Sequence, residues 1–187
     1  MPDGTHIETD RLILRTWRAE DRVAFAALNA DPEVMRWFPA PMSRSESDAL
    51  ADRAEARMAE FGYGWYALEI KDGLPFAGFV GLNVPGYDLA CQPCVEVGWR
   101  LSRQVWGQGY ATEAATVCLD HAFGPLGLDG VVSFTAVGNI RSRRVMERLG
   151  MTCDPAEDFD HPLLKLDHPL CRHVLYRMSA GGWLRTR

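Results

Sequence analysis

The chain has 187 residues, 47% of them hydrophobic and 24% charged, which excludes a disordered, collagenous or coiled-coil protein. Twenty Lys and Arg stand against 25 Asp and Glu, and the net charge of -5 argues against general binding to nucleic acid or to an anionic membrane surface. No apolar run is long enough to span a bilayer, residues 1–5 lack the basic start of a leader, and five cysteines suit a reducing cytoplasm better than a disulfide framework. With no repeat or Gly/Ser linker, the expectation is one domain over residues 1–187.

In chain order, residues 11–17 predict a strand, with Leu12 and Leu14 on one face and Arg11, Ile13 and Arg15 on the other. Helical spacing follows over 20–29 and 45–61; in the second helix Leu50, Ala54, Met58 and Phe61 form one expected buried stripe. Strands are predicted at 65–70 and 76–84, joined by the Lys71-Asp72-Gly73 turn and ended by Pro85-Gly86-Tyr87-Asp88. Over 95–101, Val95, Val97, Trp99 and Leu101 alternate onto one face and leave Glu96 on the other. The period then changes, and Ala111, Ala115, Cys118 and Ala122 mark the inner face of a helix ending before Gly124-Pro125. Residues 131–137 are β-branched and apolar, as in a central strand covered on both faces. A helix from about 140 to 149 stops at Gly150, and 174–178 supplies a final strand. This order predicts an α/β (α+β) fold with a mixed, mostly antiparallel central sheet flanked by helices.

The most informative segment is Gln104-Val105-Trp106-Gly107-Gln108-Gly109-Tyr110-Ala111-Thr112-Glu113, between a strand and a helix. A helix N-terminus carries unpartnered N–H groups and partial positive charge, and glycines without Cβ let an anion approach the backbone. No Gly-Lys-Ser/Thr follows at the spacing of a P-loop. A dinucleotide fingerprint would place its third glycine where Thr112 stands, and no acidic residue ends a second strand about twenty positions on, where the loop Gly127-Leu128-Asp129-Gly130 lies instead. For two glycines alone, a tight strand-to-helix turn with no ligand is an equal reading.

The wider context is more specific. Gln-x-x-Gly-x-Gly followed by Tyr110-Ala111-Thr112-Glu113-Ala114 resembles the pyrophosphate-binding motif of the GNAT superfamily of acyl-CoA-dependent N-acetyltransferases. The segment from Asn139 to Met151 resembles that superfamily's Asn-x-x-Ser helix, and Glu8-Thr9-Asp10-Arg11-Leu12-Ile13-Leu14-Arg15 resembles the first strand of the branch related to ribosomal-protein N-terminal acetyltransferases. The resemblance runs from Ile7 to Met178. It implies a GNAT-like fold, a core over about 7–178, and acetyl-CoA as co-substrate with no metal. Pyrophosphate would lie on the backbone of Gly107, Gln108, Gly109, Tyr110, Ala111 and Thr112, with Gln104 alongside. The pantetheine arm would add to the edge of Val97, Trp99 and Leu101 like an extra strand, with Asn139 bonding it from the other side. Arg141, Arg143 and Arg144 could offset the remaining phosphate charge, although three arginines on one helix face are as readily explained by solvent.

Acetyl transfer needs a neutral amine, a stabilised oxyanion and a tolerated thiolate. Glu96 is the candidate base, since the family often places a carboxylate there and partial burial raises its pKa; an outward-facing glutamate in solvent is the competing reading. The family's usual acid, a tyrosine four residues after the serine, is replaced by Met146. Ser142 is the nearest hydroxyl and the proposed acid in the ribosomal-protein branch. It could equally bond the sulfur or cap the helix, because a thiolate with a pKa near ~8.5 needs no acid. Cys91-Gln92-Pro93-Cys94 reads as loop thiols, lacking the second pair of ligands a structural zinc requires. His161, His168 and His173, among Asp154, Glu157, Asp158, Asp160 and Asp167, could form an ordinary loop or an acidic cover that attracts a cationic amine. The resulting expectation is a cytoplasmic enzyme, monomer or homodimer, moving acetyl by direct attack to a primary amine of a protein N-terminus or small molecule. It would have no nucleic-acid or membrane partner. The rivals are a non-catalytic acyl-CoA-binding module and, more remotely, a dinucleotide enzyme.

Overall fold

A computed structural model describes residues 6–186; the opening segment 1–5, read above for a leader, lies outside them. The strands are β1 (Ile7–Glu8), β2 (Leu12–Arg15), β3 (Trp65–Ile70), β4 (Gly78–Asn83), β5 (Glu96–Leu101), β6 (Gly130–Ala136), β7 (Thr152–Cys153), β8 (Phe159–Asp160) and β9 (Arg172–Ser179). The helices are α1 (Asp21–Ala30), α2 (Arg44–Phe61), α3 (Tyr110–Phe123), α4 (Ile140–Arg148) and α5 (Ala180–Thr186). Among the described residues they build one sheet in the order β1-β2-β3-β4-β5-β6-β9-β7, with β8 also pairing β9. Every pairing is antiparallel except β5 with β6. The mixed, mostly antiparallel sheet is therefore as the sequence predicts.

Local chemistry explains the element ends. Ser43 and Glu46 form a reciprocal capping box at the start of α2, and Gly62, at φ 74°, closes its other end in the left-handed conformation. The β3–β4 hairpin turns where Ile70 N–H donates to the Leu74 carbonyl and Gly73 N–H to that of Ile70. Alternation along the strands divides the interior in two. On one face Val97, Leu101 and Val131 pack under Ala114, Ala115, Cys118 and Leu119 of α3 and Met146 of α4. On the other, Ala67, Phe76 and Phe79 pack under Phe25 and Leu28 of α1 and Leu50 and Ala51 of α2.

Four expectations need correction. Trp17 lies beyond β2, its indole donating to the Trp65 carbonyl at 2.6 Å and its ring edge-on to Phe25. The buried stripe of α2 is Ser47, Leu50, Ala51 and Ala54, whereas Phe61 is 39% exposed; at about 27 Å, α2 outruns the ~15 Å of α1 against which it packs. Phe134 and Thr135 of β6 are only partly buried, so that strand is not covered throughout. The two-residue strands β1, β7 and β8 escape sequence reading because two residues display no alternation, and α5 because its seven residues include the poor helix formers Gly181 and Gly182.

Candidate active site

The parallel pairing of β5 with β6 is confined to one register point, Glu96 opposite Val132, where Val132 N–H donates to the Val95 carbonyl at 2.8 Å. Beyond it the two strands diverge. On its other edge β5 pairs with β4 along all six residues, and β6 pairs with β9 along all seven. The direction of each backbone group follows by alternation. Val95 C=O points to β6 and Ser102 N–H points to Ala77 of the β4 side, so the N–H and C=O groups of Val97, Trp99 and Leu101 face β6 and the opening; the parallel rung also takes Val97 N–H, which donates to the Val132 carbonyl. The Leu101 carbonyl is already taken by the Trp106 indole at 2.9 Å. The free edge is therefore the Val97 carbonyl and both backbone groups of Trp99, with at most the N–H of Leu101.

The glycine turn closes the wide end of this opening. Gly107 and Gly109 stand at φ 77° and 85°, conformations costly for residues with a Cβ. Gly109 caps α3 with no side-chain acceptor, and the first helical bond runs from Glu113 N–H to Gly109 C=O. Among the described residues, no protein acceptor takes the N–H groups of residues 107–112. This is the amide-lined, positively polarised concavity expected for a phosphate. Arg11 holds it in shape from β2's approach: its Nε donates to Glu113 Oε2 at 2.7 Å, its Nη1 to the Gln108 carbonyl at 3.1 Å, and its guanidinium lies 4.6 Å over the Tyr110 ring. Thr9 donates to the same Glu113. The sequence placed Arg11 only on a strand face; its partner is 102 residues away, and no local signal connects them. Gln104 is exposed beside the turn, its carbonyl accepting from Gln108 Nε2 at 3.3 Å.

Across the opening, Asn139 caps α4. Its Oδ1 accepts from Ser142 N–H at 3.4 Å, and its Nδ2 donates to Thr135 Oγ1 at 2.9 Å and Ser142 Oγ at 3.1 Å. Both amide hydrogens are thus engaged inside the protein, and the side chain shapes the β6–α4 turn; only acceptor capacity on Oδ1 is left for the arm it was expected to bond. The three arginines separate. Arg141 lies 4.4 Å over the Trp106 ring beside the glycine turn, and Arg144 is exposed three residues on, on the same flank. Arg143 turns away to the Val137 carbonyl and the Tyr176 hydroxyl. Met146 is 1% exposed and sits in the core, so the position of the family's tyrosine offers no proton donor.

Glu96 stands at the narrow end of the opening. Burial pushes its carboxyl up to about 7, against which a long 3.5 Å hydrogen bond from Asn83 Nδ2 pulls weakly downward. It shares its sheet face with Gly98, where an added Cβ would lie 3.5 Å from Glu96 Oε1 and 3.9 Å from Trp65 Nε1. Gly81 is paired opposite, so the floor beside Glu96 carries no side chain. The histidine segment forms a wall nearby. His161 Nε2 is 3.2 Å from the Tyr87 hydroxyl and its ring centroid 4.8 Å from that of His173. Leu163 N–H donates to His161 Nδ1, and the Cys171 carbonyl accepts from His173 Nδ1. Burial and His173 push His161 down to about 4, so it is neutral at pH 7. Burial and the Glu96 charge raise the Tyr87 phenol. The sequence read Tyr87 only as a turn residue; its approach to Glu96 is made by the fold.

A model of the family described as "Acetyltransferase (GNAT) domain" matches residues 11–152. The chain belongs to the GNAT acetyltransferase family. This GNAT enzyme is 31% identical over 197 residues to the FsC-acetyl coenzyme A-N(2)-transacetylase of Aspergillus fumigatus, a match covering 97% of the chain and 79% of that protein. It is 30% identical over 148 residues to the uncharacterized protein YkkB of Bacillus subtilis, covering 79% and 85%. Among solved structures it resembles an acetyltransferase from Agrobacterium tumefaciens str. C58, with a TM-score of 0.76, 28% identity and 94% of each chain covered. The ribosomal-protein-S5-alanine acetyltransferase of Vibrio fischeri shares the fold at a TM-score of 0.72 and 16% identity, covering 96% and 98%. Dinucleotide chemistry is thereby displaced, and the GNAT fold expected from the motifs is confirmed.

Proposed function

We propose that the enzyme moves the acetyl group of acetyl-CoA directly to the primary amine of a protein N-terminus or small molecule, with Glu96 as general base. The observation that carries this is the split between β5 and β6, with a half-buried carboxylate poised near neutral pH at its narrow end and an amide-lined turn at its wide end. The residues present fit acetyl-CoA. The N–H groups of Gly107, Gln108, Gly109, Tyr110, Ala111 and Thr112, with Gln104, Arg141 and Arg144 beside them, would hold its phosphates; the free edge of Val97 and Trp99 would bond its arm. Bound, it supplies an activated acyl group on a thiol leaving group.

Glu96 takes the proton of the incoming ammonium, directly or through one water, and leaves a neutral nucleophile. Cys118 is buried in α3 and Cys91 and Cys94 lie in the loop before β5, which argues against a covalent acyl carrier and for direct attack. Asn139 Oδ1 caps α4 in place of Ser142, whose Oγ accepts from Asn139 Nδ2 at 3.1 Å, and we give Ser142 a supporting role. Ser142→Ala should keep the helix and lower kcat less than tenfold; a thousandfold loss in stopped-flow thiol release would make its hydroxyl the proton donor. We place the activity in a cytoplasmic single domain, monomeric or dimeric, acting on neither nucleic acid nor membrane. No described helix is long and apolar enough to cross a bilayer.

The direct test is free-thiol release from acetyl-CoA with a panel of amines and short peptides. Turnover with at least one of them is expected. Tight CoA binding without turnover on any acceptor would point to a binding module instead. Gly98→Val tests where the acceptor lies: the Cβ has room, but its methyls enter the bare floor beside Glu96. The acceptor KM should rise at least tenfold with CoA affinity unchanged. Parallel losses in both would mean a distorted sheet.

A further inference from the structure

Two buried cations lie under α1, and they are treated differently. Arg15, 5% exposed, is held by Asp21 at 2.7 and 2.9 Å and by Glu69 at 2.8 Å. Arg100, 7% exposed, has no carboxylate partner among the described residues. Its Nη1 donates to the neutral Asn29 Oδ1, whose amide in turn donates to Ser47, and its Nε is buried with no acceptor among the described residues. The guanidinium lies 4.0 Å over the Phe38 ring and 5.5 Å from that of Phe79. Cation–π contact contributes less than burying an unpaired charge costs. Burial unopposed by any carboxylate pulls Arg100 down to about 9, which still leaves it charged at neutral pH.

Arg100 follows Glu96 and Gly98 on the same strand face, where Gly98 leaves the floor between the two charged residues bare. A second buried donor, Trp65 Nε1, has no acceptor either and borders the same bare floor. Trp65 stacks on Phe79 at 4.7 Å, and Phe79 is the cross-strand partner of Arg100. Two orphaned donors, one of them cationic, therefore flank a strip beside the base, and both need oxygen acceptors.

We infer that Arg100, assisted by the Trp65 indole, binds a substrate carboxylate, so that the acceptor is an amine that also carries an acid group. This rests on the acetyl transfer proposed above. It also explains why a buried cation is kept without an internal partner: the compensating charge arrives with the substrate. A carboxylate could reach the same strip from the acyl chain instead, and the experiment separates the two sources.

The experiment compares ω-amino acids from glycine to 6-aminohexanoate with the alkylamines lacking the carboxylate, in free-thiol assays with wild type, Arg100→Met and Arg100→Lys. At least one amino acid should exceed its amine tenfold or more in kcat/KM. Arg100→Met should erase that preference while keeping alkylamine rates within about threefold and leaving Tm undiminished; Arg100→Lys should restore part of it. A merely structural arginine would lower Tm and depress both series equally. If instead succinyl-CoA is preferred over acetyl-CoA with an alkylamine, and Arg100→Met removes that preference, the carboxylate belongs to the acyl chain. No carboxylate preference in either arm, or one that survives Arg100→Met, overturns the inference. Calorimetry on wild type needs neither a folded variant nor turnover: the N-acetylated amino-acid products should bind at least tenfold more tightly than their methyl esters, and equal affinities across the series overturn it. Absence of thiol release with every amine would count against the transfer reaction, not against the carboxylate site.

Discussion

Glu96→Gln should lower kcat by about 10²–10⁴, the usual contribution of a positioned base, with CoA affinity retained. The pH profile is the sharper reading. With the carboxyl raised to about 7, wild-type kcat/KM should climb through pH 7 as Glu96 loses its proton, and this limb should vanish in the glutamine variant. A limb that persists unchanged removes Glu96 as base. Stability moves the opposite way. A carboxyl whose folded pKa lies above its unfolded value favours folding while protonated, and that contribution is lost as pH rises through about 7. Glu96→Gln should therefore equal wild type in stability near pH 4 and exceed it at pH 9, by up to about 3 kcal/mol. Urea unfolding at the two pH values tests this; equal stability at both would show that the carboxylate is well solvated.

Gly107→Glu should raise the Kd for CoA at least a hundredfold. Nothing lies within 4 Å of a Cβ built at Gly107, so the side chain meets no clash; it brings a negative charge among the amides of the turn. The positive φ of 77° adds strain of about 1–2 kcal/mol, which Gly107→Asn tolerates better and without charge. Asparagine should therefore cost less than tenfold in affinity. Equal losses for the two variants, measured by calorimetry, would assign the effect to backbone strain and remove the anion site.

What could be read beforehand followed the range of the interactions involved. The strand face of Val97, Trp99 and Leu101, the opposite placement of Glu96 and the inner face of α3 at Ala115, Cys118 and Ala122 all follow from neighbours in sequence, and the structure places them there. Length worked against α2, where a regular pattern ran past the end of the core and made Phe61 look buried. The clamp of Arg11 on Glu113, the wall of Tyr87 and His161, and the unpaired state of Arg100 depend on residues 102, 74 and 71 positions apart. Arg100 is the plainest case: its strand position was legible, but a missing carboxylate partner shows only once every neighbour is known.

The single register point between β5 and β6 has a mechanical consequence. Two half-sheets, β1 to β5 and β6 to β9, share one ladder rung and are otherwise bridged by helices, so the strand-like arm of acetyl-CoA would act as a removable splint between them. Ligand binding then does part of the folding, contributing RT ln(1 + [L]/Kd) to stability. Amide exchange at Trp99 should slow on adding CoA far more than at the paired β6–β9 interior. Bound along this edge, acetyl-CoA would stiffen the seam on which Glu96 sits.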